Sequence, residues 1–126
     1  MNLVGTYHLK YYIHASHAIR WENGEGDEHA PSWEIAVEFR STNENMIVFD
    51  KIESSLDDLF KAYSGKFLNT IEPFTTIDPT LENITKFFFT LVEKQILPMH
   101  AQLNKIELGE SPMRFYYVTR DDMSGE

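Results

Sequence analysis

Two histidines of this chain are placed where they could share a ligand. His17 ends one segment of alternating apolar and polar residues, and His29 comes just before the next such segment. Antiparallel pairing of the two segments would bring both imidazole rings close together. A catalytic zinc takes three protein ligands and leaves one position open. Pro31, two residues beyond His29 on the same side of the strand, has no donor atom.

The loop between the two histidines offers other donors. Three of its acidic residues are candidates for a third metal ligand: Glu25, Asp27 and Glu28. The competing interpretation is that His17 and His29 are ordinary polar residues at a strand end. The spacing alone leaves both interpretations open.

Glu110 is the most distinctively placed carboxylate. It lies in the segment Gly109-Glu110-Ser111-Pro112, at the junction of the last two predicted strands. A carboxylate presented there to a cavity can accept two parallel hydrogen bonds from an amino-imino edge such as that of a guanine or pterin ring. The alternative is an exposed glutamate in a turn.

Composition argues against several classes of function. The 126 residues include no cysteine, so disulfides, thiolate zinc sites and cysteine nucleophiles are excluded. The net charge of −9 would repel a polyphosphate backbone, and we expect no nucleic-acid partner. No segment approaches the roughly 20 apolar residues that span a bilayer. We therefore expect a cytoplasmic protein without a membrane partner.

The elements that must position these residues begin with two strands. Apolar residues share one parity across residues 3–17 and again across 33–39, which predicts two strands that pair antiparallel. The acidic segment 22–30 contains two glycines and is predicted to be a solvated loop. Residues 41–45 interrupt the second strand, and residues 46–48 resume it.

Two helices and two more strands follow. After Phe49 an apolar spacing of three and four residues predicts a helix that Ser64-Gly65 ends, and a second helix over 81–96 has Asp78 or Thr80 as its cap. Short strands over 103–108 and 113–118 come next. We expect the helices to cover the sheet face that carries Ile13, Ala15, His17, Trp33, Ile35 and Val37.

The predicted fold class is α+β, with the order ββααββ. It gives an antiparallel four-stranded sheet with both helices on one face. Residues 1–119 are predicted to form a single domain, and residues 120–126 a polar, frayed tail.

At these positions the sequence resembles the 6-pyruvoyltetrahydropterin synthase and 6-carboxytetrahydropterin synthase family, from about Tyr7 to Tyr117. The segment Ile13-His14-Ala15-Ser16-His17 is similar to a family motif that ends in a zinc-binding histidine. Pro79-Thr80-Leu81-Glu82-Asn83-Ile84 is similar to the family's proline-threonine-x-glutamate-asparagine helix start. Glu110-Ser111 falls where the family has glutamate-threonine. The resemblance implies the tunnelling fold, assembly into trimers or hexamers, and Glu110 and Ser111 as ligand-binding residues.

The departures from the family fall on its chemistry. The resemblance implies zinc ligands at His17 and His29, but Pro31 stands at the position of the third histidine. The family's catalytic cysteine corresponds to Glu25, and its aspartate-histidine pair corresponds to Ser64-Gly65. Each general acid or base contributes roughly 10²–10⁴ in rate. Because the cysteine and the aspartate-histidine pair are replaced in this chain, we assign no catalytic residue.

Three hypotheses follow from this pattern. The first is a pterin-synthase-like protein without the family's lyase activity that binds a pterin- or purine-like heterocycle and forms a homo-oligomer. The second is a metal-dependent lyase with a rebuilt site, in which Glu25 or a loop aspartate acts as the base. The third is a non-catalytic interaction protein whose acidic surface meets a basic partner.

Overall fold

The computed structural model describes residues 5–42 and 47–125. In chain order the elements are β1 (Tyr7–His14), β2 (Arg20–Trp21), β3 (Gly24–Glu25), β4 (Ser32–Ser41), α1 (Phe49–Lys61), α2 (Leu81–Ile96), β5 (Ala101–Ser111), β6 (Arg114–Thr119) and α3 (Arg120–Ser124). Single turns of 3₁₀ helix lie at Leu68–Thr70 and Leu97–Met99.

The main sheet has four antiparallel strands in the order β1-β4-β5-β6. The predicted α+β fold with a four-stranded antiparallel sheet is therefore confirmed. The acidic loop differs from its prediction, because β3 lies within it and pairs with β2, which comes just before the loop, as a separate two-stranded hairpin. This hairpin has no apolar alternation in the sequence, so periodicity could not reveal it.

Helices α1 and α2 pack on one face of the sheet. Ile52, Leu56 and Phe60 are the buried residues of α1, and α2 buries an apolar row that includes Phe88 and Val92. They share one core with the predicted face of the sheet, where Trp33, Ile35 and Val37 are at most 1% exposed. The prediction of the covered face is confirmed.

The start of α2 is defined by a side-chain cap. Thr80 has an extended backbone, and its hydroxyl accepts a hydrogen bond from the backbone N–H of Asn83 at 3.1 Å. This bond satisfies one of the amide groups that a helix N-terminus leaves without a partner. Of the two predicted caps, Thr80 fills the role, while Asp78 binds the backbone of Arg20 instead.

Three further predicted segments differ in the structure. The first strand, expected over 3–17, is shorter, because β1 spans Tyr7–His14 and residues 3 and 4 lie outside the described residues. The strand expected over 46–48 is wrong for Ile47 and Val48, which precede α1 without strand structure, while Met46 lies outside the described residues. The tail expected to be frayed is wrong for Arg120–Ser124, which form α3. A capping box between Thr119 and Asp122 holds this helix, because each side chain accepts a hydrogen bond from the other residue's backbone N–H.

The helices of residues 5–42 and 47–125 include none with the length and apolar character needed to cross a bilayer.

Candidate functional site

The structure brings His17 and His29 together, as their positions predicted. Each backbone N–H donates to the other residue's carbonyl at 2.8 Å, and the ring centroids are 6.3 Å apart. His17 is 1% exposed, whereas His29 is exposed. The two imidazoles therefore differ in environment, with one in the core and the other at the surface.

The ring of His17 is held in a fixed orientation. Its Nδ1 lies 2.8 Å from the carbonyl oxygen of Pro79. A carbonyl only accepts hydrogen bonds, so Nδ1 carries the proton and donates. Trp33 packs its ring edge-on against the imidazole at a centroid distance of 5.0 Å and donates from Nε1 to the carbonyl of Ala15. These contacts turn the Nε2 atom of His17 toward Glu110.

Nε2 of His17 faces the carboxylate of Glu110. Oε2 of Glu110 lies 3.1 Å from Nε2, an ion-pair distance, but the approach does not have hydrogen-bond geometry. Both groups are removed from solvent, with side-chain exposures of 2% for His17 and 19% for Glu110.

Glu110 reaches this position through an irregularity in β5. The pairing of β5 with β6 shifts between Gly109 and Ser111, so Glu110 has no directly opposite residue. Such bulges re-aim side chains at the ends of strands. Ser111 is exposed, and its hydroxyl accepts from the backbone N–H of Met113 at 3.3 Å in the following turn.

Arg114 occupies the second oxygen of the carboxylate. Its Nη1 donates to Oε1 of Glu110 at 3.1 Å, across the hairpin turn. The side chain of Arg114 is 72% exposed, whereas that of His17 on the other oxygen is buried. Exposed ion pairs contribute about 0–1 kcal/mol, so Arg114 is the partner of Glu110 that a ligand would displace more easily.

Two cavities meet at Glu110. The first, which we call the histidine cavity, has a volume of about 490 Å³, and its lining includes His17, His29, Pro31, Glu110 and Arg114. The second, the open-face cavity, has a volume of about 380 Å³ and lies on the sheet face that the helices leave uncovered. Ser111 lines only the second of these cavities.

Glu25 turns away from the histidine cavity. Its Oε2 accepts from the side-chain amide of Asn69 at 2.9 Å and lies 3.4 Å from Nε of Arg20. Asn69 is 5% exposed and also exchanges hydrogen bonds with both backbone groups of Ala18. This network fixes the loop that leads from His17 to β2. Asp27 and Glu28 are exposed and do not line the cavity.

The side chains present do not fit the zinc ion that the family resemblance implies. Pro31 lines the cavity without a donor atom. Across residues 5–42 and 47–125, no three His, Cys, Asp or Glu side chains are arranged to hold a metal ion. Glu110 instead approaches the Nε2 atom of His17, the nitrogen that a metal would need.

Sequence reasoning missed the contacts of Glu110 with Arg114 and His17. The first had a local signal, because opposite charges at positions 110 and 114 flank a tight hairpin turn and can meet across it. The second had none. His17 and Glu110 are far apart in the chain and meet only through the packing of the loop after β1 against the end of β5.

Comparisons with known proteins agree with this fold. The family model described as 6-pyruvoyl tetrahydropterin synthase matches residues 7–121. None of the curated proteins matches the chain. The Caenorhabditis elegans 6-pyruvoyl tetrahydropterin synthase structure is similar with a TM-score of 0.77 and 16% identity, over 94% of this chain and 96% of that one.

Two structures from Plasmodium vivax are also similar. Its 6-pyruvoyltetrahydropterin synthase matches with a TM-score of 0.68 and 12% identity, over 93% of this chain and 99% of that one. A variant with a catalytic glutamate changed to alanine matches with a TM-score of 0.67 and 13% identity, over the same 93% and 99%. At these identities the structural likeness shows the fold, while the family model covers most of the chain. The chain belongs to the 6-pyruvoyl tetrahydropterin synthase family.

Proposed function

We propose that this protein binds a pterin- or purine-like heterocycle through Glu110 and Ser111 and does not carry out the family's lyase reaction. The observation that carries the proposal is the carboxylate of Glu110, which is 19% exposed and lies where two cavities meet. Carboxylates recognise amino-imino edges through charge-assisted hydrogen bonds. The donors of such an edge would replace the guanidinium of Arg114 at Oε1.

The absence of the family reaction is supported by the residues at its chemical positions. Pro31 stands in place of a zinc-binding histidine, and Ser64-Gly65 stands in place of the aspartate-histidine pair that the resemblance implies. The sequence has no cysteine that could act as the nucleophile. A scaffold that keeps the ring anchor but lacks these groups retains binding and loses proton transfer.

The proposed form is a homo-oligomer, a trimer or a hexamer. Strands β1 and β6 each leave one edge without a partner strand within residues 5–42 and 47–125. Free edges present backbone groups that pair readily with another chain. A cytoplasmic location stays a prediction.

Calorimetric titration with neopterin, biopterin and guanine tests the binding proposal. We expect at least one of them to bind, and Glu110→Gln to weaken that binding by about 10- to 100-fold, because a charged acceptor is lost. Glu107→Gln is the matched control, since Glu107 lies on the same strand and lines neither cavity. A folded wild-type protein that gives no heat with any of the three would contradict the proposal.

A second candidate is a lyase with Glu25 as its base. The resemblance places Glu25 at the position of the family's catalytic cysteine, and the similar Plasmodium vivax protein has a catalytic glutamate. To act as the base, Glu25 would have to leave Asn69 and turn toward the histidine cavity. The test is release of triphosphate from dihydroneopterin triphosphate with added zinc, comparing wild type with Glu25→Gln. Turnover that Glu25→Gln abolishes would establish this function. No turnover, together with heterocycle binding, would leave the first proposal in place.

A further inference from the structure

A row of four residues crosses the uncovered face of the sheet. Tyr12 lies opposite Glu34, Glu34 lies opposite Gly109, and Gly109 lies opposite Phe115, so the row has one member on each strand. Directly opposite residues of antiparallel strands share one face. The row therefore has one aromatic residue at each end, Tyr12 and Phe115, with Glu34 and Gly109 between them.

The ring of Phe115 lies over Gly109. A Cβ atom added to Gly109 would come within 2.8 Å of Cδ1 of Phe115 and closer still to Cε1. The ring occupies space that any other residue at position 109 would fill. Phe115 nevertheless remains 42% exposed, so part of the ring is available from the solvent side.

The open-face cavity contains this aromatic platform. All four members of the row line the cavity, together with Glu110 and Ser111. A ligand that contacts both Glu110 and Ser111 must enter this cavity, because Ser111 does not line the histidine cavity. The ring of such a ligand then lies beside Phe115.

We propose that Phe115 is the ring-stacking and specificity-determining residue of this site, and that the ligand is a planar aromatic heterocycle. This inference rests on the proposed function. It adds that the ring plane of the bound heterocycle lies against Phe115. One face of the heterocycle stacks on Phe115 while its amino-imino edge reaches Glu110. Offset stacking of two planar π systems adds affinity for a flat ring and does not depend on a particular substituent. Phe115 therefore selects for the planarity of the ligand.

Glu34 provides a further acceptor on the floor of the cavity. Its Oε1 lies 3.4 Å from the hydroxyl of Tyr12, and its Oε2 lies 3.4 Å from Nζ of Lys10. Lys10 is half exposed, so water competes for this ion pair. A donor group on the far edge of the heterocycle can therefore share the carboxylate.

The test compares Phe115→Ala, Phe115→Trp and Tyr117→Ala in titrations with neopterin and its tetrahydro form. Tyr117 is the matched control, since it is an exposed aromatic residue on the same strand and face but outside the cavity. We expect Phe115→Ala to weaken neopterin binding by about 10- to 100-fold, as for loss of one aromatic stacking partner. Phe115→Trp should retain the binding and quench the neopterin fluorescence.

The tetrahydro form separates stacking from a merely structural role. Its reduced ring is not planar, so the preference for neopterin over this form should shrink in Phe115→Ala and persist in Tyr117→Ala. If Glu110→Gln weakens binding as expected but Phe115→Ala leaves the affinity and the preference unchanged, the stacking inference is wrong and the proposed function stands. If Phe115→Ala instead dissociates the oligomer, Phe115 is a subunit contact and the inference is overturned. If wild type binds neither of these forms and gives no heat with biopterin or guanine, both the inference and the proposed function fail.

Discussion

The imidazole of His17 shows how much depends on one neighbouring side chain. Its Nδ1 atom donates to Pro79, and its Nε2 atom faces Glu110 at 3.1 Å. Metal-binding histidines are commonly oriented in this way, with one nitrogen held by a carbonyl and the other left for the ion. In this chain a carboxylate faces the second nitrogen. The loss of a third donor at Pro31 is the simplest reason that the donor set does not fit zinc.

We therefore expect Pro31→His to complete a zinc site with His17 and His29. The added imidazole would join His17 and His29, which already line the same cavity, and three protein ligands satisfy a tetrahedral ion with one open position. Mass spectrometric metal analysis after purification without chelator should find about one zinc per chain in the variant. Pro31→Ala removes the proline without adding a donor and serves as the control.

Two results would contradict this expectation. Stoichiometric zinc in wild type would mean that other side chains complete the ligand set. Zinc bound by Pro31→His that survives an additional His17→Ala substitution would place the ion elsewhere. A melting temperature that rises with zinc only in Pro31→His would support the expected site independently.

At the scale of elements, the two long helices begin differently. Thr80 caps α2 with its hydroxyl, whereas Val48, at the start of α1, has an extended backbone and makes no side-chain cap. We expect Thr80→Ala to lower the free energy of unfolding by about 1 kcal/mol and Val48→Asp to raise it by about 0.5–1 kcal/mol. Urea denaturation measures both. A loss of stability in Val48→Asp would contradict the assignment of Val48 as the N-cap.

The last helix depends on an ionised carboxylate. Hydrogen bonds from the backbone N–H and the hydroxyl of Thr119 hold the pKa of Asp122 below its ordinary value of 3.8. The folded-state pKa is depressed, so the capping box contributes fully above pH 3.8 and is lost as the pH falls through the lower folded value. Helix α3 should therefore fray at acid pH before the sheet unfolds.

An NMR titration of the Asp122 carboxyl group checks this pH dependence. Thr119→Ala removes the hydroxyl donor and keeps the backbone N–H, so the pKa of Asp122 should rise part of the way toward 3.8. An unchanged pKa in Thr119→Ala would mean that the backbone bond alone causes the shift.

At the scale of the whole molecule, the sheet has one covered and one open face. The open face exposes Tyr12, Phe115 and Tyr117, with exposed fractions between 42% and 64%. Lys105 lies 4.3 Å above the ring centre of Tyr117 and 3.8 Å from Glu38, so charged and aromatic residues alternate there. Such a face is neither a core nor an ordinary polar surface. It lies beside the outer edges of β1 and β6, which pair with no strand in the part of the chain that the structure describes.

Native mass spectrometry tests whether copies of the chain assemble through their edge strands. We expect a mass of three or six times the 14.7 kDa chain, because edge strands that pair between copies remove unpaired backbone groups. The same spectrum reports any retained small molecule or metal. A monomer at micromolar concentration would contradict the proposed oligomer and would leave the edges to be protected in another way.

The sequence by itself determined the order of the four main strands and the two long helices, and the buried face of the sheet. Periods of two and of three to four residues depend only on local geometry, so the strands around Tyr11 and Ile35 and the helices α1 and α2 were predictable. The proximity of His17 and His29 followed from strand pairing. The short helix α3 could have been found from its capping residues, but its polar composition obscured it.

Only the tertiary structure decided what the site contains. The approach of Glu110 to His17 and the ring of Phe115 over Gly109 depend on the bulge in β5 and on the register of three strands. A bulge changes where a side chain points without changing the apolar pattern. Register likewise depends on the packing of whole faces. The candidate site residues could therefore be identified from the sequence, but the side chains that contact them could not.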